Sequence, residues 1–236
     1  FWTDSEPGPA ADAAGTAVAR GTLSDGRLSD VRVIFRQATK LPGGEHFGSR
    51  LAFSSDGLLF VGLGDRGQRA DAQDLRSAHG KILRMDREGQ APPDNPFVGT
   101  PEAVPQIWTI GHRNVQGLAF APDGTLWATE HGPQGGDELN VIVKGRNYGW
   151  PTITYGTEYT TSAPIGEGTS KAGMEQPVTW WGPTSNAPSG LVVLTSSRYP
   201  DWQGHLFGGT LQGARAVLRM QVREGQVVEQ QNLATG

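Results

Sequence analysis

Two stretches decide the fold: Arg50–Asp65, "RLAFSSDGLLFVGLGD", and Gly117–Gly132, "GLAFAPDGTLWATEHG". They align without gaps, with Leu51 on Leu118 and Asp56-Gly57 on Asp123-Gly124. Each carries a Leu-Ala-Phe strand, an Asp-Gly pair of the kind that closes tight turns, and a return strand, so each reads as a β-hairpin. A looser third copy, "GLVVLTSSRYPDWQGHLFGGTL" (Gly190–Leu211), has an enlarged turn. Outer strands come after the hairpins: "KILRMDREGQ" (Lys81–Gln90) resembles "AVLRMQVREGQ" (Ala216–Gln226), and "LNVIVKGRNYG" (Leu139–Gly149) takes that place in the middle unit. The opening segment Thr16–Phe35, with its own turn at Asp25-Gly26, reads as the last strands of a preceding unit.

Repeated hairpin units of this kind predict an all-β chain and a β-propeller, whose sheets pack face to face around an axis. A sandwich would not repeat its motifs. The intervals Leu51 to Leu118 and Leu118 to Leu191 exceed the ~40–45 residues of a minimal four-stranded blade, which implies inserted loops. We divide the chain into the end of a first blade (1–40), a second (41–110), a third (111–184) and a fourth (185–236). About three and a half blades fall short of the ~4–8 of a closed propeller, so the expectation is a fragment or an unusual closure.

Composition agrees. The 236 residues include 34 glycines, 16 prolines and seven tryptophans with 36% hydrophobic residues, which favours many short strands joined by turns over long helices. The net charge of −4 comes from interspersed charges without a basic run, so nucleic acid has no electrostatic footprint. An anionic ligand would therefore need a local cationic pocket. The absence of cysteine excludes disulfides, iron–sulfur clusters and thiolate zinc sites. No apolar run approaches the ~20 residues of a membrane helix, and the first residues given show neither the basic n-region nor the apolar core of a signal peptide.

Three constellations carry chemistry. His46 lies in "GGEHFGSRL" (Gly43–Leu51), and the hairpin turn at Asp56-Gly57 returns Asp65, in "GLGDRG", toward it. A lone loop histidine is more often structural, but a His–Asp pair is a recurrent general-base device. "GHRNVQG" (Gly111–Gly117) precedes the middle hairpin and sets Arg113 where His46 sits in the previous unit. Both residues should therefore face one rim. Arg113 offers a planar fork and Asn114 a donor–acceptor pair; the plain alternative is an inter-blade ion pair. "EHGPQGGDELNVIVKGRNYGWP" (Glu130–Pro151) is rich in oxygen donors, with exposed carbonyls expected at Gly132 and Pro133 and acids at Asp137 and Glu138. Such a loop suits calcium, or merely shapes a turn. The tryptophans are assigned to packing, and His79 and His205 receive no role.

Together these motifs resemble the soluble pyrroloquinoline-quinone-dependent aldose sugar (glucose/sorbosone) dehydrogenase family, over roughly the whole chain and most specifically from Gly111 to Pro151. The resemblance implies a six-bladed propeller with the quinone on its axis and calcium beside it. It implies His46 as the base that removes the anomeric hydroxyl proton while hydride passes to the quinone, with Asp65 as its hydrogen-bonded orienter. Arg113, Asn114, His131, Tyr159, Leu211 and Gln212 fall at quinone-contacting positions. The Gly132 and Pro133 carbonyls fall at the calcium beside the quinone, and Glu138 and the Tyr148 backbone at a further calcium. An aldose substrate, an external electron acceptor and a periplasmic or secreted location come with the family; no membrane insertion is expected, and oligomeric state is not legible.

Gln212, in "GGTLQG", stands where the family usually has a lysine, one cation fewer for a tricarboxylate. A family glutamine would precede Phe1 and a pair of arginines would follow Gly236, so the chain reads as truncated at both ends. The 236-residue polypeptide by itself is expected to bind the quinone poorly, and tight stoichiometric binding in a titration with and without Ca²⁺ would show those ligands to be misplaced. Two other readings share these residues: a calcium-dependent lactonase-like hydrolase in which His46 activates water, and a non-catalytic propeller that binds a sugar or a protein.

Overall fold

Asp56-Gly57 and Asp123-Gly124 close equivalent hairpins in the computed structural model of the chain, which describes residues 1–10 and 12–235. Gly57 and Gly124 take φ +84° and +87°, a conformation that glycine adopts without a Cβ penalty. Their amides donate to Ser54 and Ala121, both at 2.9 Å.

Four antiparallel sheets succeed one another, each a meander in chain order. The first holds β1 (Trp2–Pro7), β2 (Ala14–Ser24) and β3 (Arg27–Arg36). The second holds β4 (Gly48–Phe53), β5 (Leu59–Leu63), β6 (Lys81–Met85) and β7 (Ile107–Ile110). The third holds β8 (Val115–Phe120), β9 (Leu126–Glu130), β10 (Asp137–Ile142) and β11 (Thr179–Trp181). The fourth holds β12 (Pro188–Val193), β13 (Leu206–Thr210), β14 (Ala216–Arg223) and β15 (Gln226–Thr235). The repeated hairpins occupy matching registers, Leu51 opposite Val61 and Leu118 opposite Ala128.

Side-chain alternation explains why the sheets stack. Successive residues of a strand point to opposite faces, so a strand buried on both sides reads as a continuous apolar run. Leu59, Val61 and Leu63 of β5 join a core with Val18 of the first sheet, while Phe60 points the other way to Val115, Leu118 and Ala128. Trp127 of β9 turns from that second core into a third, with Leu139, Leu206, Leu218 and Met220. Each fully buried Leu or Val contributes roughly 1.5–3 kcal/mol, and the three cores bond the four sheets face to face. The architecture is a partial β-propeller. β4 packs beside β8, and β8 beside β12, so the first strand of each of these sheets lies innermost.

Antiparallel pairing sets the functional end. Gly48 pairs with Leu63, Val115 with Glu130 and Pro188 with Thr210, so the entries to β4, β8 and β12 and the exits of β5, β9 and β13 share one rim. Each entry carries a register shift, at Gly48/Arg50, Val115/Gly117 and Pro188/Leu191. Bulges at a strand's end re-aim the side chains beside them, and here they recur in all three blades at that rim. Among the described residues no helix is long and apolar enough to cross a membrane.

Candidate active site

The loop before β4 lies directly on the end of β5. A Cβ on Gly64 would collide with the His46 carbonyl, and one on Gly48 (φ +66°) would stand 2.8 Å from the Gly62 oxygen. These two glycines thus let backbone approach backbone, and His46 itself takes φ +52°. Arg66, buried beneath, fixes the loop by donating to the carbonyls of Glu45, Gly43 (2.6 Å) and Leu41 (3.2 Å), with its guanidinium 3.7 Å from the Phe47 ring centroid.

His46 Nδ1 meets Asp65 Oδ1 at 2.6 Å. The His46 side chain is 21% exposed and that of Asp65 1%, so the carboxylate is interior and the imidazole opens to the rim. Asp65 is fully supplied with donors. Oδ1 also accepts from the Gly67 amide (2.9 Å) and Oδ2 from the Trp150 indole (2.7 Å). Burial alone would raise the Asp65 carboxyl, but the His46 hydrogen bond and charge, with Gly67 and Trp150, hold it below the usual carboxylate range. An ionised acceptor keeps the proton of neutral His46 on Nδ1 and leaves the Nε2 lone pair free.

The second hairpin brings its own loop to the same place. The Arg113 carbonyl accepts from the Asp65 amide (2.8 Å), and Asn114 Oδ1 accepts from the Gly48 amide (3.1 Å), so the two loops are bonded to each other. Arg113 is buried, and its guanidinium donates to the carbonyls of His131 (3.1 Å) and Gly132 (2.5 Å) and to the Tyr159 hydroxyl (3.1 Å). Among the described residues no carboxylate pairs with it, so it is not an inter-blade ion pair. His131 Nε2 donates to the Pro188 carbonyl (2.8 Å). Burial lowers the His131 pKa against the pull of Asp137 and the Pro188 carbonyl, and the charges of Arg113 and His46 act in the same direction as burial. The Tyr159 ring is 62% exposed, its centroid 5.9 Å from the Arg113 guanidinium.

Leu211 and Gln212 reach the rim from β13, their amides donating to the carbonyls of Ala187 (3.0 Å) and Asn186 (3.1 Å). Both are exposed. Among the described residues they hydrogen-bond to backbone and to none of the other candidate side chains.

The Gly132 and Pro133 carbonyls differ from expectation. Both residues are buried, Gly132 is capped by Arg113, and Pro133 accepts from Ser185 Oγ at 3.4 Å. The loop folds inward because Asp137 ties it to the entry of the fourth sheet: Oδ1 accepts from the Gly132 amide (2.9 Å) and Oδ2 from the Ala187 amide (2.8 Å). Beside it a cavity of about 10 Å³ is lined by Glu130, Glu138, Gly111, Tyr148 and Trp150. Burial, with the Glu130 and Asp137 carboxylates, pushes Glu138 up to about 8 although Asn140 donates to it at 3.0 Å. Among the described residues the buried Asn140 Oδ1 has no hydrogen-bond partner. These are hard oxygen donors carrying excess negative charge. Among the described residues no three acidic or histidine side chains converge as a metal cage, so backbone oxygens would have to complete one.

Other functional residues are invisible to sequence reasoning. Trp150 is a hydrogen-bond donor to Asp65 as well as a packing residue. Glu130 ties the site together, accepting from the Arg113 amide (2.9 Å), His112 (3.1 Å) and Asn140 (3.0 Å). His79 Nδ1 pairs with Asp71 at 2.7 Å below the 3₁₀ turn Arg69–Gln73. Fully buried Lys81 donates to the carbonyls of Asp71 (2.6 Å) and His79 (2.7 Å), and burial lowers its pKa to about 7. Only the short spacing Asp71–His79–Lys81 in the sequence hints at this cluster.

A sequence family described as Glucose / Sorbosone dehydrogenase matches residues 1–236. Aldose sugar dehydrogenase YliI of Escherichia coli is 45% identical over 226 residues, covering 94% of this chain and 60% of that protein. The crystal structure of the soluble aldose sugar dehydrogenase of Escherichia coli in the apo form superposes with a TM-score of 0.92 at 43% identity, covering 98% of this chain and 66% of the other. The PQQ-bound aldose sugar dehydrogenase of Streptomyces coelicolor gives 0.72 at 30% identity, covering 96% and 60%. The chain spans 56% and 60% of the lengths of the first curated relatives it matches.

Proposed function

Because the chain belongs to the glucose/sorbosone dehydrogenase family, we propose that it serves an oxidoreductase that converts aldoses to lactones, with pyrroloquinoline quinone as cofactor and His46 as general base. The observation that carries this reading is the imidazole locked to Asp65 at 2.6 Å at a rim it shares with Arg113 and Asn114.

The residues present suit a flat tricarboxylate. The net charge of the chain is negative, yet this rim collects Arg113, Asn114 and His131; nearby Arg69 is already paired with the Glu158 carboxylate. Arg113, planar and always charged, is the natural partner for a carboxylate or a quinone oxygen. The chemistry the quinone supplies when bound is a two-electron sink for the hydride that leaves the sugar C1. His46 Nε2 takes the proton of the C1 hydroxyl as that carbon–hydrogen bond breaks and the C1–oxygen double bond forms. Asp65 holds Nδ1–H and balances the imidazolium, a contribution of about 10²–10⁴ in rate for such a positioned base.

Calcium suits the acid cluster by the same logic. Glu138, held protonated near neutral pH by burial and by Glu130 and Asp137, would exchange that proton for a cation, with the Tyr148 backbone as a further donor. At Gly132 a cation would have to share the carbonyl with Arg113 or displace it.

The test is reduction of an electron-accepting dye by aldoses, using the full-length protein. The expected result is reduction only after both quinone and Ca²⁺ are added. Lactone hydrolysis without quinone, and no dye reduction with it, would replace this reading with the hydrolase.

A further inference from the structure

We infer that Trp150 is a positioning residue for the base, acting through Asp65. This rests on the reading of His46 given above. Asp65 is almost wholly enclosed, and its two oxygens face different partners: Oδ1 receives His46 Nδ1 and the Gly67 amide, and Oδ2 receives the indole N–H of Trp150 at 2.7 Å. The donor is 85 residues away in sequence, on the loop after β10, so the contact ties the third sheet to the base-bearing hairpin of the second.

The indole is itself held from several sides. The Trp150 amide donates to the Gly111 carbonyl (2.9 Å), and its carbonyl accepts from Gln73 Nε2 (2.7 Å). Gln73 is fixed by a reciprocal amide pair with Asn147, at 3.0 and 2.7 Å. The ring packs on Ala72 and Ile165, with the guanidinium groups of Arg69 and Arg113 at 5.4 and 5.5 Å from its centroid. A donor this constrained fixes the plane of the carboxylate. With Oδ2 pinned, Oδ1 points at His46, and the imidazole ring cannot turn without breaking a short bond inside a buried site. Without the N–H, Oδ2 is a buried charged acceptor without a partner, and the carboxylate can rotate to satisfy it.

Trp150→Phe keeps an aromatic ring near the two arginines and removes the N–H donor. In the full-length protein we expect kcat to fall about tenfold or more with KM within about twofold. In an Asp65→Asn background the same substitution should change kcat by less than about twofold, because its effect passes through the carboxylate. Equal losses in both backgrounds would make Trp150 a packing residue only. The second measurement needs neither quinone nor sugar: the downfield proton resonance of His46 Nδ1–H, assigned by its loss in Asp65→Asn, should shift or broaden in Trp150→Phe. An unchanged resonance overturns the inference even if the protein proves to be no dehydrogenase, and a shifted one upholds it whatever the activity. If Trp150→Phe does not melt cooperatively, Gln73→Met, which frees the Trp150 carbonyl, should move the same resonance in the same direction.

Discussion

Replacing Asp65 by Asn changes one atom, removes one charge and sets three donors against an acceptor too poor to satisfy them. The carboxylate accepts three N–H bonds, from His46, Gly67 and Trp150. An amide cannot accept all three. If its NH₂ faces Trp150, two donors confront each other in a buried site. If it faces His46, it confronts the Gly67 amide and forces the imidazole to accept at Nδ1, which places the proton on Nε2 and blocks that atom as a base. Either arrangement loses a charge-assisted bond worth about 1.5–3 kcal/mol and leaves a donor unpaired. We expect a melting temperature lower by about 4–10 °C and a kcat lower by roughly 10³-fold, equivalent to ~4 kcal/mol on the barrier, with KM little changed. The pH dependence adds a sign. The Asp65 pKa is depressed in the folded state, so its stabilisation is present above the ordinary carboxylate range and lost as pH falls through the folded value. Asp65→Asn should therefore flatten the acid limb of the stability curve. Aldose-dependent dye reduction with quinone and Ca²⁺ present, alongside calorimetry between pH 3 and pH 7, reads both. A folded variant with kcat within about twofold of the parent would refute the assignment of the base.

Two further substitutions probe the buried charges. Glu138 has its pKa raised to about 8; the folded state holds a proton that the unfolded chain releases near pH ~4.3, so stability present at low pH is lost as pH rises toward 8. Glu138→Gln should then melt about 2–4 °C above the parent at pH 8 in chelator, with little difference at pH 5, and should abolish the rise in melting temperature that Ca²⁺ gives the parent; a parent indifferent to Ca²⁺ would remove the cation from this cluster. Lys81 behaves oppositely: with a folded pKa of about 7 against ~10.4 unfolded, the unfolded state binds more protons across that window and stability rises with pH. Lys81→Met should flatten that rise, measured as urea unfolding at pH 7 and pH 10; parallel profiles for parent and variant would place the lysine charge outside the stability balance.

The parts of this molecule legible in its sequence are those built from near neighbours. Asp-Gly turns and alternating apolar residues specify the hairpins, and a hairpin of known turn brings the residue before its first strand, His46, to the residue after its second, Asp65. The repeat then carries Arg113 to the same rim. What lies between blades is not legible. Trp150 resembles any core tryptophan until the third sheet is packed on the second, and Arg66 gives no sign that it will bond three carbonyls of a loop twenty-odd residues earlier. The inward fold of Gly132 and Pro133 depends on Asp137 bonding backbone across two sheets. The bulges that open β4, β8 and β12 leave no residue signature that separates them from regular strand.

His46→Ala most directly tests the central claim, that this rim oxidises an aldose with His46 as its base. In the full-length protein, quinone affinity and aldose turnover should be measured on the same preparation. The account predicts that aldose-dependent dye reduction falls at least ~10²-fold while quinone affinity stays within a few-fold of the parent. Undiminished turnover in a variant that still binds quinone would contradict it.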